Sequence, residues 1–376
     1  MKARVLNILL GLLLLLVILL LFVYLRYGGG EDYPDLSTEP LLDDAALEAV
    51  VQYPEPIGNV AVAADGRVFF TAHPEGRPIG PKLLVFADGR ATAFPDRKTQ
   101  QDFRTPLGVV IDRQERLWVI DSGQHGLHQA ELSAFDIHTG ERVFRFGFDD
   151  DHAPLGSMLQ DLQISNDGEW AYIADVSFWR QAPAILVMDL VNRRVRRVLV
   201  NHESTAAQDW VIRTPYKRME FFGGLAALKP GVDGIALSRD GLYLYYGAMT
   251  HDTLYRIPTS LLRDTTPRSL IEASVEAVGP KPLNDGMSTD EIGTVYLTDV
   301  EHQGVMIHQP DGRLLTLLRS ERIRWADALS FGPDGWLYIA DSGIPQMMLE
   351  PRDTIIEHAP YTIWRIKLPV RPVAGH

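Results

Sequence analysis

Residues 233–249 read DGIALSRDGLYLYYGAM. Two short apolar stretches flank a polar turn containing Asp240 and Gly241, and Asp-Gly between alternating hydrophobics is a strong hairpin signal. The second stretch is aromatic and suits a pleated, half-buried surface. The same unit recurs along the chain. Copies begin near Gly58 (GNVAVAADGRVFFTAH), Gly108 (GVVIDRQERLWVIDSG), Asp161 (DLQISNDGEWAYIADVS), Asp233, Asp285 (DGMSTDEIGTVYLTDVE) and Asp327 (DALSFGPDGWLYIADSG). Most are followed by a third strand, such as LLVFADG at 83–89 and TIWRIKL at 362–368.

The expected fold is therefore an all-β, six-bladed β-propeller. A blade alone exposes two apolar faces; stacking blades around an axis buries them, and closing the ring protects the sheet edges. Leu47–Tyr53 (LEAVVQY) precedes the first blade and is the candidate closing strand. An open stack or two sandwiches are the competing arrangements. Helical periodicity is scarce after residue 50: Leu41–Val50 is expected to form one short helix and Thr259–Arg263 a single turn.

The propeller is preceded by an N-terminal transmembrane or signal helix. Val5–Leu25 is apolar apart from the weak interruptions Asn7, Gly11 and Tyr24. Its 21 residues can cross a hydrocarbon core of about 30 Å. Lys2 and Arg4 precede it, which keeps the N-terminus cytoplasmic and the body outside. A cleaved signal peptide is the alternative, although its small-residue cleavage pattern is missing after Tyr24. The division is 1–27 as anchor or signal segment, 28–46 as linker, flexible from Gly28 to Thr38, and 47–370 as propeller. The expected location is extracytoplasmic, periplasmic or secreted, with the helix as tether and the membrane as one partner.

Of the 376 residues, 46% are hydrophobic and 23% charged, as in folded globular proteins. Cysteine is absent, which excludes disulfides, thiolate metal sites and a cysteine nucleophile. Net charge is −13, and the only charges in the first 30 residues are Lys2, Arg4 and Arg26, so the body is more acidic still. Such a body repels phosphate backbones and is not expected to bind nucleic acid. A small-molecule ligand is the expected partner; oligomeric state is open.

In a propeller blade the innermost strand runs along the axis. Its start and the loop after the second strand share one face, with the tight Asp-Gly turns opposite. Aligned on their turns, Asp161, Asp233, Asp285 and Asp327 fall at the start of the inner strands of blades three to six, with Asn284 beside Asp285. Converging carboxylates need a cation, protonation or a basic partner. Oxygen ligands without sulfur favour Ca²⁺ over Zn²⁺ or Cu²⁺. The competing reading is that each Asp caps its own blade. Loops of the same face offer His125, His251 and His302, each a candidate proton carrier or an exposed bystander. Asp327, Trp179 and Trp210 are candidates to contact substrate. The insertion Asn201–Val232, with Trp210, Tyr216, Phe221 and Phe222, is either a lid or packing over a blade edge. The two Asp-Ser-Gly triplets lack the context of a nucleophile elbow and read as turns.

DGIALSRDGLYLYYGAMTHDTLYRIPTSLLRD (233–264), SVEAVGPKPLNDGMSTDEIGTVYLTDVEHQGV (274–305) and RWADALSFGPDGWLYIADSG (324–343) resemble the signature regions of the yellow/major royal jelly protein family. RVFFTAHPEGRPIGPKLLVF (67–86) and LGVVIDRQERLWVIDSG (107–123) resemble its early part. The resemblance spans about residues 50–368 and implies a six-bladed propeller outside the cytoplasm; some insect members are linked to dopachrome conversion. The wider superfamily includes gluconolactonases and paraoxonase-like lactonases, which hold Ca²⁺ in the channel. By position, Asp233, Asn284 and Asp285 match ligand-bearing sites and Asp161 fits another. Blade one departs, with Asn59 or Gly58 where a Glu is expected. Two functions stay open: an enzyme for a small cyclic substrate, by lactone hydrolysis or enol/quinone tautomerisation, and a non-catalytic propeller that binds a small ligand or a protein.

Overall fold

The computed structural model describes residues 2–263, 265–370 and 373–375. The described residues form six four-stranded antiparallel sheets in chain order around an axis. The inner strands are Ile57–Val62, Pro106–Ile111, Leu159–Ile164, Val232–Leu237, Met287–Thr289 and Ala326–Phe331. Each contacts the next, and the last contacts the first, so the ring is closed. Glu48–Tyr53 pairs antiparallel with Tyr361–Lys367 and completes the sixth blade from the other end of the chain. This is the expected closing strand. The short helix expected over Leu41–Val50 is instead a single 3₁₀ turn, Asp44–Ala46, leading into that strand. Pairing with the last blade overrides a weak local helical preference. Thr259–Leu262 forms the expected single turn.

The hydrophobic cores lie between blades. Phe69, Val109 and Phe135 join blades one and two, and Tyr172, Val187, Ile235 and Tyr246 join blades three and four. Val60, Phe70, Ala328 and Tyr338 seal the junction between the last blade and the first. Apolar packing thus supplies the closure that no disulfide can.

Around the axis the constraint is backbone approach. A Cβ on Gly108 would lie 2.1 Å from the carbonyl oxygen of Gln160 on the next inner strand, and one on Gly286 would lie 2.5 Å from that of Asp327. Inner strands this close leave a narrow channel. Pairing between the first and second strands shifts register at the same early point in five blades: between Ile57 and Val60, Pro106 and Val109, Leu159 and Leu162, Val232 and Ile235, and Ala326 and Ala328. A bulge re-aims side chains. Asn59, Gly108, Asp161, Asp233 and Asp327 all lie within these shifts. The Asp-Gly hairpin turns lie at the opposite end, where Asp167 accepts from the backbone N–H of Glu169 and Asp240 from that of Leu242.

Residues Lys2–Tyr27 form one apolar helix, compatible with a signal or an anchor, whose residues stand largely exposed. The following stretch is not a loose tether. Leu41 and Leu42 donate backbone N–H groups to Thr316 and Leu317, the Tyr33 hydroxyl donates to the Lys281 carbonyl, and Glu31–Asp32 pairs with Trp210–Val211. Such contacts recover part of the entropy cost of ordering the segment.

The axial contact is directly testable. Gly108→Ala should destabilise the fold by about 1–3 kcal/mol through overpacking, read as a lower midpoint of thermal unfolding. An unchanged midpoint would show that the inner strands can separate without loss.

Candidate functional site

Two sets of carboxylates share the face where the inner strands begin. The first set ends the second strands. Asp121 accepts from the backbone N–H groups of Arg104, Thr105 and Gly123. Asp175 accepts from Ser157 Oγ, the Met158 N–H and Arg197. Asp341 accepts from the N–H groups of Arg324 and Trp325 and from the Arg324 guanidinium. Asp299 accepts from the N–H groups of Glu301 and His302. Asp121, Asp175 and Asp341 tie each second strand to the start of its inner strand, Asp299 fastens its own following loop, and the Asp-Ser-Gly triplets are turns built on two of them.

The second set faces the axis, and its members are poorly satisfied. Both Asp233 carboxylate oxygens, Asn284 Oδ1 and Asp327 Oδ2 are buried without a hydrogen-bond partner. Buried polar atoms in this condition are uncommon and require a reason. Asp161 Oδ1 accepts from Asn59 Nδ2 at 2.9 Å. Asp285 accepts from Trp325 Nε1 at 2.7 Å and from Gln160 Nε2 at 3.4 Å. Burial, the largest cause, pushes the Asp233, Asp285 and Asp327 carboxyls well above the usual carboxylate range; repulsion from Asp285, Asp161 and Asp327 adds to the effect at Asp233. Burial likewise lifts Asp161 to about 7. A buried lysine partly offsets the rise at Asp233. Lys281 is fully buried, donates to the Pro282 carbonyl at 3.1 Å, and is brought down to about 7 by its desolvation. Among the described residues no group of three or more His, Asp or Glu side chains is close enough to hold an ion. The axial acids approach one another without sharing a single preformed centre.

Asp233 and Asp285 line the inner end of a cavity of about 150 Å³. Its walls include Met158, Phe178, Phe221, Met249, Ile344 and Met348, and its polar groups include His73, Glu75, His125 and Gln160. His125 Nε2 lies 3.0 Å from Glu75 Oε1, while its Nδ1 is buried without a partner. The bond to His125 is the main reason the Glu75 carboxyl is held below its ordinary range. An ionised Glu75 places the imidazole proton on Nε2 and leaves Nδ1 as a buried acceptor without a partner. His73 Nδ1 accepts from the Glu75 N–H, and its Nε2 sits 3.7 Å from Asp327 Oδ2. Burial brings His73 down to about 4, so it is neutral at physiological pH.

The residues singled out from sequence divide as follows. His125, Asp233, Asp285 and Trp179 line the cavity, and Asp161, Asn284 and Asp327 stand along the axis beside it. Three are elsewhere. His251 is buried outside the cavity, where its Nδ1 accepts from the Thr253 N–H and its ring meets Tyr255 edge-on. His302 lies 3.1 Å from Asp299 and 3.5 Å from Asp35, and its bond to Asp299 pushes its pKa up. Trp210 packs against Tyr33 with ring centroids 5.1 Å apart. The stretch after the N-terminal helix and the start of the insertion cover that sector and engage these side chains. Of the insertion, Phe221, Phe222, Ala226, Leu228 and Pro230 reach the cavity, while Lys217 is tied to Glu350 at 3.0 Å. The insertion is thus part cover and part clamp.

His73, Glu75 and Gln160 were missed in the sequence. HPEG at 73–76 follows the second strand of blade one, the position that holds His125 in blade two, so the repeat alignment contained the signal for the first two. Gln160 carried none, because only the bulge turns it toward Asp285.

A family model described as Major royal jelly protein matches residues 105–315. No curated protein matches the chain. Among solved structures, a gluconolactonase from Xanthomonas campestris is 16% identical, with a TM-score of 0.56 over 92% of this chain and 99% of that one. A luciferin-regenerating enzyme is 11% identical, with a TM-score of 0.57 over 88% and 97%. The calcium-binding protein regucalcin from Agrobacterium tumefaciens is 16% identical, with a TM-score of 0.54 over 87% and 97%. These likenesses show a shared propeller fold.

Glu301, on the mouth loop of blade five, clamps the insertion by accepting the Arg213 N–H at 2.7 Å. Burial lifts its pKa from 4.5 to about 7. A folded value above the unfolded one means stability present at acid pH and lost as pH rises through about 7. Glu301→Gln should therefore unfold like the parent near the bottom of that window and at a progressively higher temperature than the parent above it. Parallel melting curves for the two proteins across the window would contradict a buried carboxyl here.

Proposed function

The chain belongs to the major royal jelly protein family, and from that premise and its unpartnered axial oxygens we propose that it acts on a small cyclic substrate at a cation site in the central channel. The carrying observation is the set of four buried oxygens without partners, from Asp233, Asn284 and Asp327. Capping would have satisfied them, as it does for Asp121 and Asp175. Hard oxygen donors without sulfur suit Ca²⁺. Asp233, Asn284 and Asp285 would hold it, with Asp161 alongside. The calcium-binding regucalcin and the gluconolactonase that share the fold lend this reading support. When bound, the ion would supply Lewis acidity toward a lactone or enol oxygen and neutralise the buried acids.

The remaining work falls to the chain's own side chains. Phe178, Phe221, Met249 and Met348 hold the ring of the substrate and exclude bulk water. Glu75 orients His125, and His125 Nδ1 accepts a proton from an attacking water or an enolisable carbon and then returns it. Neutral His73 carries its proton on Nε2, toward Asp327, and remains uncharged through the cycle. The reading places the propeller outside the cytoplasm, supported by Lys2 and Arg4 ahead of the apolar helix.

A second reading has its own observation. No three-membered acid cluster is preformed among the described residues, which favours a channel of protonated acids that binds a small ligand without turnover.

Two experiments separate these readings. Asp233→Asn should raise the melting temperature in chelator, by removing a buried unpartnered carboxylate, and should abolish the gain produced by calcium. For the parent that gain should approach about 2.7 kcal/mol at a calcium concentration of about 100 times Kd. Calcium stabilisation that survives the substitution would remove the cation site. His125→Ala should lower turnover of a lactone or dopachrome panel by about 10²- to 10⁴-fold while leaving the calcium response intact. Full activity in that variant, or in the parent with chelator, would end the mechanism.

A further inference from the structure

The foot of the N-terminal helix is fastened to the rim of the channel mouth. Arg26 donates to the Arg180 carbonyl at 2.8 Å, the Tyr27 hydroxyl to the Trp179 carbonyl at 2.7 Å, and Gln181 Nε2 to the Arg26 carbonyl at 2.5 Å. Lys229 Nζ donates to the Gly28 carbonyl at 2.9 Å, and the chain then enters the Glu31–Asp32 pairing with no free length between. The rings of Tyr27, Phe178 and Trp179 form one cluster, with centroids 4.9 to 6.0 Å apart. Amphipathic aromatics and cations at the end of an apolar helix mark the level of the lipid headgroups. Phe178 and Trp179 of this cluster also line the channel cavity.

A groove of about 660 Å³ runs between the helix foot, Tyr24 to Gly30, and the propeller. Val176 and Phe178 line both this groove and the channel cavity. Around the mouth Leu127, Leu155, Trp179, Phe222 and Leu349 leave half or more of their surface exposed. The far face also exposes Leu242 and Ile292, but singly, at hairpin turns away from the helix.

We propose that the N-terminal helix is retained and holds the channel mouth against the bilayer interface, so that the ligand is a lipophilic molecule that enters from the lipid phase through the groove at the helix foot. The ligand class rests on the proposed function; the orientation does not. An apolar ring or chain would pass along Val176 and Phe178, and its oxygen function would reach the acidic inner end of the cavity.

The chain has no cysteine, so single labels are unambiguous. The full chain is reconstituted in phosphatidylcholine/phosphatidylglycerol vesicles with a polarity-sensitive fluorophore on Leu127→Cys, Leu155→Cys or Ile292→Cys. Brominated lipid should quench the labels at positions 127 and 155 and leave that at 292 unaffected. Equal quenching at all three, or none at the mouth, overturns the orientation, as does recovery from cells of a membrane-free chain beginning after residue 27. For the ligand class, thermal stabilisation in nanodiscs by a long-alkyl δ-lactone is compared with that by unsubstituted δ-valerolactone. The long-chain lactone should act at a concentration at least about tenfold lower. Equal or reversed preference overturns lipid-phase entry. A response to neither overturns the proposed substrate class, and the label pattern still decides the orientation by itself.

Discussion

Close approach of backbones at the axis is the constraint on which the site depends. Gly108 and Gly286 let adjacent inner strands come together where a side chain would strike a carbonyl oxygen. Strands that close cannot keep a regular ladder to their outer neighbours and also aim polar side chains inward. A bulge near the start of five inner strands resolves the conflict. The result concentrates acids from four separate blades in a buried space, where desolvation raises their pKa values and repulsion from Asp285, Asp161 and Asp327 adds to the rise at Asp233. Interblade hydrophobic cores and the Glu48–Tyr53 closing strand hold the ring against that repulsion.

Satisfaction, rather than residue type, distinguishes the two sets of acids on this face. Asp121, Asp175, Asp299 and Asp341 are each surrounded by donors and act as fasteners. Asp233 is buried to the same degree with no donor at all. A fold does not retain such a group for stability, since burying an unpartnered carboxyl is costly. Lys281 offsets only part of that cost, because it too is desolvated and loses much of its hold on the proton. The remaining imbalance motivates the cation reading.

The apolar half of the cavity has a separate origin. Phe221 and Phe222 come from the insertion between blades three and four, Phe178 and Trp179 from a blade loop, and Met348 and Leu349 from the loop before the last strand of blade six. The first two of these segments also receive the foot of the N-terminal helix. Helix foot, rim and channel are therefore one structural unit, joined by hydrogen bonds from Arg26, Tyr27, Gln181 and Lys229.

The repeat, the number of blades, the closing strand and the axial positions of Asp161, Asp233, Asn284, Asp285 and Asp327 were legible in the sequence, because strand periodicity and turn chemistry are local and recur in register. Trp179 and His125 were legible for the same reason. What tertiary structure alone decided was which loop residues turn inward. His251, His302 and Trp210 occupy positions equivalent by sequence or composition, yet the Gly28–Ala46 stretch and the insertion cover that sector and engage them. His73, Glu75 and Gln160 reach the cavity through a turn and a bulge whose direction depends on neighbouring strands. Local pattern sets the face on which a side chain emerges; contacts between distant segments set whether that side chain meets the axis, a cap or another loop.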